Sequence, residues 1–323
     1  MSVQRVLLIG SNGLLGQKLA ELLVRGTTYR VTLASRENRS ARPLASTEHM
    51  QIDITSKKDV KRVVFSCEPD VIINAAGMTD VDACEKEREL AWKVNVEGVK
   101  NIVDAARKND ARIIHVSSDY IFNGKSGPYT EEERPEPINY YGKTKLASEN
   151  ALKASGLAYL IARTIVLYGF TADTRPNFAI WLIQNLERKL PVRLVIDQYG
   201  NPTLADDLAY GIVRGMELNR AGVYNIAGRD IVNRHEFGVK LARTFDFDPG
   251  LIVPIKTSQL RQAAARPLKS GLVTLKAEVE LGISPSTVEQ GLAVLKNQLS
   301  RNSKMLADSA PVPGSPASRH AKR

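Results

Sequence analysis

The chain has 323 residues, 43% of them hydrophobic and 25% charged, which is enough for a large core and fits a soluble globular protein. The formal net charge is +10, but the basic residues are neither gathered into one arm nor interleaved with aromatics. That argues against a nucleic-acid partner and for steering of an anionic small substrate or a phosphorylated cofactor.

Taken in chain order, the hydrophobic pattern predicts a buried strand over 5–9, a glycine loop over 10–16 and a helix over 15–24. Further strands are expected over 29–34, 69–74 and 112–117, with helical patterns over 60–65 and 87–108 between them. Strands alternating with helices imply an α/β fold: a Rossmann-type, doubly wound parallel sheet covered on both faces. After Tyr168 the regularity loosens. A helix is expected from 175 to about 190, a short strand over 194–196 and a turn over 200–203. A helix over 206–216, a strand over 223–228 and a helix over 235–245 follow. The division is a dinucleotide-binding domain over 1–168, to which segments near 194–230 return, and a smaller substrate-binding lobe mainly over 169–299. The tail over 300–323 has too little apolar content to bury and is expected to be disordered.

Cys67 and Cys84 have neither metal-ligand spacing nor the pattern of a disulfide framework, so no metal is expected and both read as small buried thiols. Residues 1–9 do not read as a signal peptide, and no apolar run approaches membrane-spanning length. A cytoplasmic enzyme without a membrane partner is expected.

Gly10-Ser11-Asn12-Gly13-Leu14-Leu15-Gly16 follows a strand and opens a helix, the context in which glycine spacing is informative. Glycines allow the tight turn and the close approach of backbone N–H groups to a pyrophosphate, and the helix N-terminus adds partial positive charge. The second strand ends at Ser35 and Arg36, a hydroxyl and a guanidinium. They suit a 2′-phosphate, so NADP(H) is favoured and NADH is the second choice; a solvated loop charge is the other role open to Arg36. Asp53 has two roles open, acceptor for an adenine amino group or helix N-cap.

The run 115–122 places Ser117 and Ser118 at a strand's C-terminal end, which faces the ligand crevice in open α/β sheets. Downstream, Tyr141 and Lys145 are spaced to share one helix face. A cation beside a phenol lowers its pKa, and a phenol so tuned can pass a proton to a carbonyl oxygen as hydride reaches the carbon. Asn95 reads as a structural helix asparagine, with a bond beside Lys145 as the alternative.

These segments together resemble the extended short-chain dehydrogenases. They are the glycine loop, Asn74-Ala75-Ala76-Gly77, 79–85, Ser118-Asp119-Tyr120-Ile121-Phe122-Asn123-Gly124 and Tyr141-Gly142-Lys143-Thr144-Lys145. Within that superfamily the chain looks like the dTDP-4-dehydrorhamnose reductase group, from residue 5 to about 299. Arg163-Thr164, Asn177-Phe178, 197–203 with 206–209, and Arg266-Pro267 add to the likeness. The resemblance implies that Ser118, Tyr141 and Lys145 are catalytic and that Asp119 and Tyr120 contact the sugar with Ser118 and Tyr141. The coenzyme set becomes Gly10, Asn12, Gly13, Leu14, Leu15, Gly16, Ser35, Arg36, Asp53, Ile54, Ala75, Ala76, Gly77, Tyr141 and Lys145. The implied reaction is NADPH-dependent reduction of a nucleotide-activated 4-keto-6-deoxysugar, with a homodimer as an allowed assembly. Two positions depart from the group's pattern. Val166 stands where a tryptophan often lines the sugar pocket, and Lys269 stands in an Arg-Pro-x-Asn-Ser pattern. Two alternatives share the likeness: a NADP-binding regulatory subunit like that of methionine adenosyltransferase, and another sugar-nucleotide epimerase or dehydratase of the superfamily.

Overall fold

The computed structural model describes residues 3–25, 29–171 and 173–309, with side chains described as far as residue 302. Its first half runs β1 (Gln4–Ile9), α1 (Leu14–Arg25), β2 (Tyr29–Ser35), β3 (Glu48–Gln51), α2 (Lys57–Cys67), β4 (Val71–Asn74), α3 (Val81–Lys86), α4 (Arg88–Trp92), α5 (Gly98–Ala106), β5 (Arg112–Ser118), α6 (Tyr140–Lys153) and β6 (Tyr159–Thr164). The second half runs β7 (Leu167–Tyr168), α7 (Phe178–Glu187), β8 (Val192–Val195), β9 (Tyr199–Gly200), β10 (Thr203–Leu204), α8 (Ala205–Glu217), β11 (Gly222–Asn225), β12 (Val232–Asn233), α9 (Arg234–Thr244), β13 (Ile252–Ile255), α10 (Leu275–Leu281) and α11 (Val288–Ser309).

Seven parallel strands make one sheet in the order β11-β6-β5-β4-β1-β2-β3. The order reverses between β1 and β4, so a crevice opens there at the strands' C-terminal ends. The uninterrupted apolar run of β1 follows from cover on both faces. Successive side chains alternate sides. Val6 and Leu8 pack with Leu19 and Leu23 of α1 and Leu208 and Ile212 of α8. Leu7 and Ile9 pack with Val60 and Val64 of α2 and Val99 and Ile102 of α5. Side chains buried this completely each stabilise the fold by about 1.5–3 kcal/mol.

The second lobe has its own core, where Tyr168, Leu182, Phe237, Leu241, Ile252 and Leu292 meet. It is stitched by short strand pairs, β7 with β10, β9 with β12 and β8 with β13. The chain still returns to the main sheet, since β11 pairs with β6 and α8 lies against α1.

Several elements differ from the sequence pattern. The continuous helix expected over 87–108 is α4, a π-helical turn at Lys93–Glu97, and α5. Asn95 causes no charge defect there, but its amide bonds the chain crossing beside it. Asp53 is not a helix N-cap. Ser56 caps α2, accepting from the Asp59 amide at 3.2 Å, whereas Asp53 accepts from the Thr55 amide and hydroxyl at 2.9 and 2.8 Å. The helix expected from 175 begins after Asn177, whose side chain accepts from Ala179 and Ile180 amides. Helix α11 continues past Arg301 to Ser309, into the segment expected to be a tail; residues 310–323 lie outside the described residues.

Candidate active site

The glycine loop sits at the sheet's switch point, and its glycines are required by contact as well as by conformation. Gly10 has φ +85°, and a Cβ there would lie 2.7 Å from the Ala76 nitrogen. At Gly16 a Cβ would lie 2.1 Å from the Gly10 carbonyl oxygen. The loop after β1, the loop after β4 (Ala75, Ala76, Gly77) and the first turn of α1 (Leu14, Leu15) therefore meet backbone to backbone. Such close backbone packing beside a helix N-terminus has the geometry that suits a dinucleotide pyrophosphate.

At the end of β2, Ser35 is occupied within the fold. Its hydroxyl lies 3.3 Å from the Glu37 carbonyl and 3.0 Å from His49 Nε2. Arg36 is exposed. The Ser35-Arg36 reading passed over an acidic neighbour: Glu37 accepts from Asn12 Nδ2 at 3.1 Å. Asn12 also donates to the Arg39 carbonyl and accepts from the Ala41 amide, so it fastens this loop to the glycine loop. Ile54 is buried in the core against Gly98.

Helix α6 carries the reacting pair. Asn139 caps it, accepting from the Gly142 amide at 2.8 Å and donating to the Ala265 carbonyl at 2.8 Å. Gly142 permits tight seating, because a Cβ there would lie 2.0 Å from the Tyr120 carbonyl oxygen. Tyr141 and Lys145 are both buried, at 8% and 6% exposure. The Ser118 hydroxyl lies close enough to the Tyr141 phenol to lower its pKa. Lys145 Nζ donates to the Val116 carbonyl at 2.7 Å, two residues before Ser118 on β5. The three groups thus gather along one strand end. Ser117 goes elsewhere, donating to Glu149 Oε1 at 2.7 Å.

The expected lowering of the tyrosine pKa is not what the structure has. Burial pushes the Tyr141 phenol up, with the Ser118 hydroxyl opposing. Burial lowers the Lys145 ammonium to about 8. Around Tyr141 the neighbouring acidic groups add to the desolvation of the phenolate, while around Lys145 desolvation outweighs the relief from Glu149, and the ammonium spends its short hydrogen bond on a backbone carbonyl.

A buried polar chain missed by sequence reasoning runs behind the pair. Asn74 Oδ1 accepts from the Ala76 amide at 3.1 Å, and Asn74 Nδ2 lies 3.2 Å from His115 Nδ1. This assigns the ring proton to Nε2, which lies 3.0 Å from Ser148 Oγ; that hydroxyl donates to the Lys145 carbonyl at 2.7 Å. Burial first, and then the Lys145 charge, hold His115 neutral. Asn95, in the π-helical turn, accepts from the Met78 amide at 2.8 Å. It donates to the Met78 carbonyl and to Thr144 Oγ1, both at 3.0 Å. It ties the loop after β4 to α6 next to Lys145, and π-turns are frequent at such places. Only the alternation of His115 with Ser117 along β5, and Ser148 three residues after Lys145, hinted at these contacts.

Beside the pair lies a cleft lined by Asp119, Tyr120, Val166, Gln198, Arg234 and Ser270, among others. Tyr120 meets Tyr141 edge to face, 5.5 Å between centroids. Asp119 accepts from Ser118 Oγ at 3.1 Å and from Ser270 Oγ at 2.6 Å, and burial pushes its carboxyl up to about 6. Val166 has φ +44°, a strained conformation for a β-branched residue. Burial pushes both thiols up to about 11, so Cys67 and Cys84 are not activated.

Residues 4–301 match the model of the family described as RmlD substrate binding domain. The chain belongs to that family. Among its relatives, a dTDP-4-dehydrorhamnose reductase of Aggregatibacter actinomycetemcomitans is 31% identical over 300 residues, covering 89% of this chain and 97% of that one. A probable low-salt glycan biosynthesis reductase of Haloferax volcanii is 31% identical over 290 residues, covering 89% and 95%. The solved structure of a Bacillus anthracis dTDP-4-dehydrorhamnose reductase in complex with NADP superposes with a TM-score of 0.82. It is 30% identical, covering 91% of this chain and 99% of that one. Within this RmlD-type chain, Ser270 is the residue of the Arg266–Ser270 segment that reaches the Asp119 carboxylate, while Lys269 is exposed.

Proposed function

We propose that this chain reduces a nucleotide-activated 4-keto-6-deoxysugar with NADPH, and that dTDP-4-dehydro-L-rhamnose, going to dTDP-L-rhamnose, is its substrate. The observation that carries the reading is the buried Ser118–Tyr141–Lys145 cluster, set beside a glycine cradle and opening on a separate polar cleft. The NADP bound to a similar solved structure and the reductase names of similar chains support it.

Gly10, Gly13 and Gly16, with the backbone of 75–77, would hold the coenzyme's pyrophosphate, and Arg36 would meet a 2′-phosphate. When bound, NADPH supplies hydride. The protein's task is then proton delivery to the sugar oxygen. Tyr141, kept protonated by burial, holds that proton. Ser118, whose hydroxyl lies beside the phenol, orients the same oxygen. Lys145, one turn away and charged below about pH 8, offsets the negative charge that develops on the phenol. Asp119 and Tyr120 hold the sugar.

The test is direct. Purified protein is mixed with dTDP-4-dehydro-L-rhamnose and either NADPH or NADH, and loss of reduced nicotinamide is followed with product identification by mass and NMR. Turnover with release of the 4-hydroxy sugar supports the proposal. Absence of turnover on this and on related keto sugars rejects it, and would turn attention to the regulatory-subunit alternative, which needs no reaction.

A further inference from the structure

Two guanidiniums of the Arg234 and Arg266–Ser270 segments near the cleft are bonded very differently. Arg266 is engaged on every side: Nη1 and Nη2 donate to the two Asp82 oxygens at 3.1 and 2.8 Å, and Nη1 also donates to the Ala264 carbonyl at 2.7 Å. Arg234 lines the cleft with Asp119, Tyr120 and Ser270. Among the described residues it takes part in no ion pair. The Asp119 carboxylate in the same cleft already accepts from Ser118 and Ser270.

Arg234 is also held rigidly. It is the first residue of α9, directly after the Asn233 cap, whose reciprocal bonds with Glu236 measure 2.8 and 3.0 Å. Its guanidinium lies over the Phe178 ring, 5.1 Å from the centroid, and Phe178 is backed by Phe237. Stacking on an aromatic face leaves the in-plane N–H donors of arginine free to form a fork. Arg234 is half-buried, and the Asp119 charge acts on it only from beyond ion-pair distance, so such a fork still favours an anion.

We propose that Arg234 is the anion anchor of this cleft, binding an oxyanion of the substrate, either a diphosphate oxygen or a carboxylate carried by the sugar. The proposal rests on reading the cleft as a nucleotide-sugar site, not on the sugar's being 6-deoxy, since a 6-deoxysugar carries no carboxylate; it assigns that site a charged contact from the second lobe. Neither the glycine loop nor the Tyr141 helix supplies this contact.

The experiment uses the full chain and two variants, Arg234→Gln and Arg234→Met. Coenzyme affinity and thermal unfolding show which of them are folded, and either one carries the test. Binding of dTDP and of thymidine is measured by calorimetry, and kcat/KM is compared for keto-sugar nucleotides with and without a sugar carboxylate. If the anion is the diphosphate, dTDP weakens by about tenfold or more while thymidine and NADPH do not change. If it is a sugar carboxylate, dTDP binding holds and the preference for the acidic sugar falls by a similar factor. Unchanged dTDP binding together with unchanged sugar preference overturns the assignment. The underlying reading fails separately: a wild-type chain that reduces no keto sugar, yet loses dTDP on substitution, leaves the anchor standing and the reductase reading rejected.

Discussion

Tyr141 and Lys145 lie one turn apart on α6, buried deeply enough for desolvation to govern both. The phenol stays protonated through the neutral range, and the lysine loses its charge near pH 8. Tyr141→Phe should retain NADPH affinity and lose about a hundred- to ten-thousandfold in kcat, since that is what a positioned acid contributes; single-turnover kinetics with a separate coenzyme titration checks it. For Lys145, activity and stability should move oppositely with pH. The ammonium is lost as pH rises through about 8, so kcat/KM should fall there, and Lys145→Arg should shift that limb upward. The folded pKa lies below lysine's ordinary value of 10.5, so between those values the unfolded chain binds more protons and stability should rise with pH. Urea midpoints across that window test the sign, and the rise should be missing in Lys145→Met.

At the scale of elements, α6 is held against the sheet by a buried ionic set. Arg163 Nε and Nη2 donate to the two Glu149 oxygens at 3.0 and 2.8 Å, and Ser117 and Lys153 donate to the same carboxylate. Both partners are at most 1% exposed. Removing one, as in Glu149→Gln or Arg163→Met, leaves a buried charge unmatched and should cost about 3–5 kcal/mol, read from chemical unfolding. Gly142→Ala should do something different. The added methyl meets the Tyr120 carbonyl, so the start of α6 must move away from the Asp119–Tyr120 turn. Turnover should fall while coenzyme affinity changes little, because the glycine cradle lies on another loop. Sequence pattern placed β1, β2, β4 and β5, short apolar runs in the sheet interior, and the region of β11, but not β6 or the half-exposed edge strand β3, whose Glu48-His49-Met50-Gln51 carries no apolar run. The π-helical turn around Asn95 was not legible, because it is set by Met78 and Thr144, which reach Asn95 from other segments.

For the whole molecule, coenzyme binding should be visible without any substrate. NADPH at a hundred times its Kd should add about 2.7 kcal/mol of stability by linkage, measurable as a rise in Tm, with NADH giving less at equal concentration if Arg36 meets a 2′-phosphate. The two lobes are joined over the cleft by contacts such as Ser270 with Asp119 and Arg266 with Asp82. No helix among the described residues is long and apolar enough to cross a membrane. The glycine loop and the Tyr141–Lys145 pair could be read from the chain alone, because each is a local pattern whose spacing on one strand, turn or helix dictates where its groups point. The diversion of Ser117 to Glu149, the neutral His115 behind Lys145, the engagement of Arg266 with Asp82 and the lack of an ion pair at Arg234 among the described residues were decided only by tertiary structure. Their partners come from distant parts of the chain, and burial, which sets whether a charge must find a partner, exists only once those parts have packed.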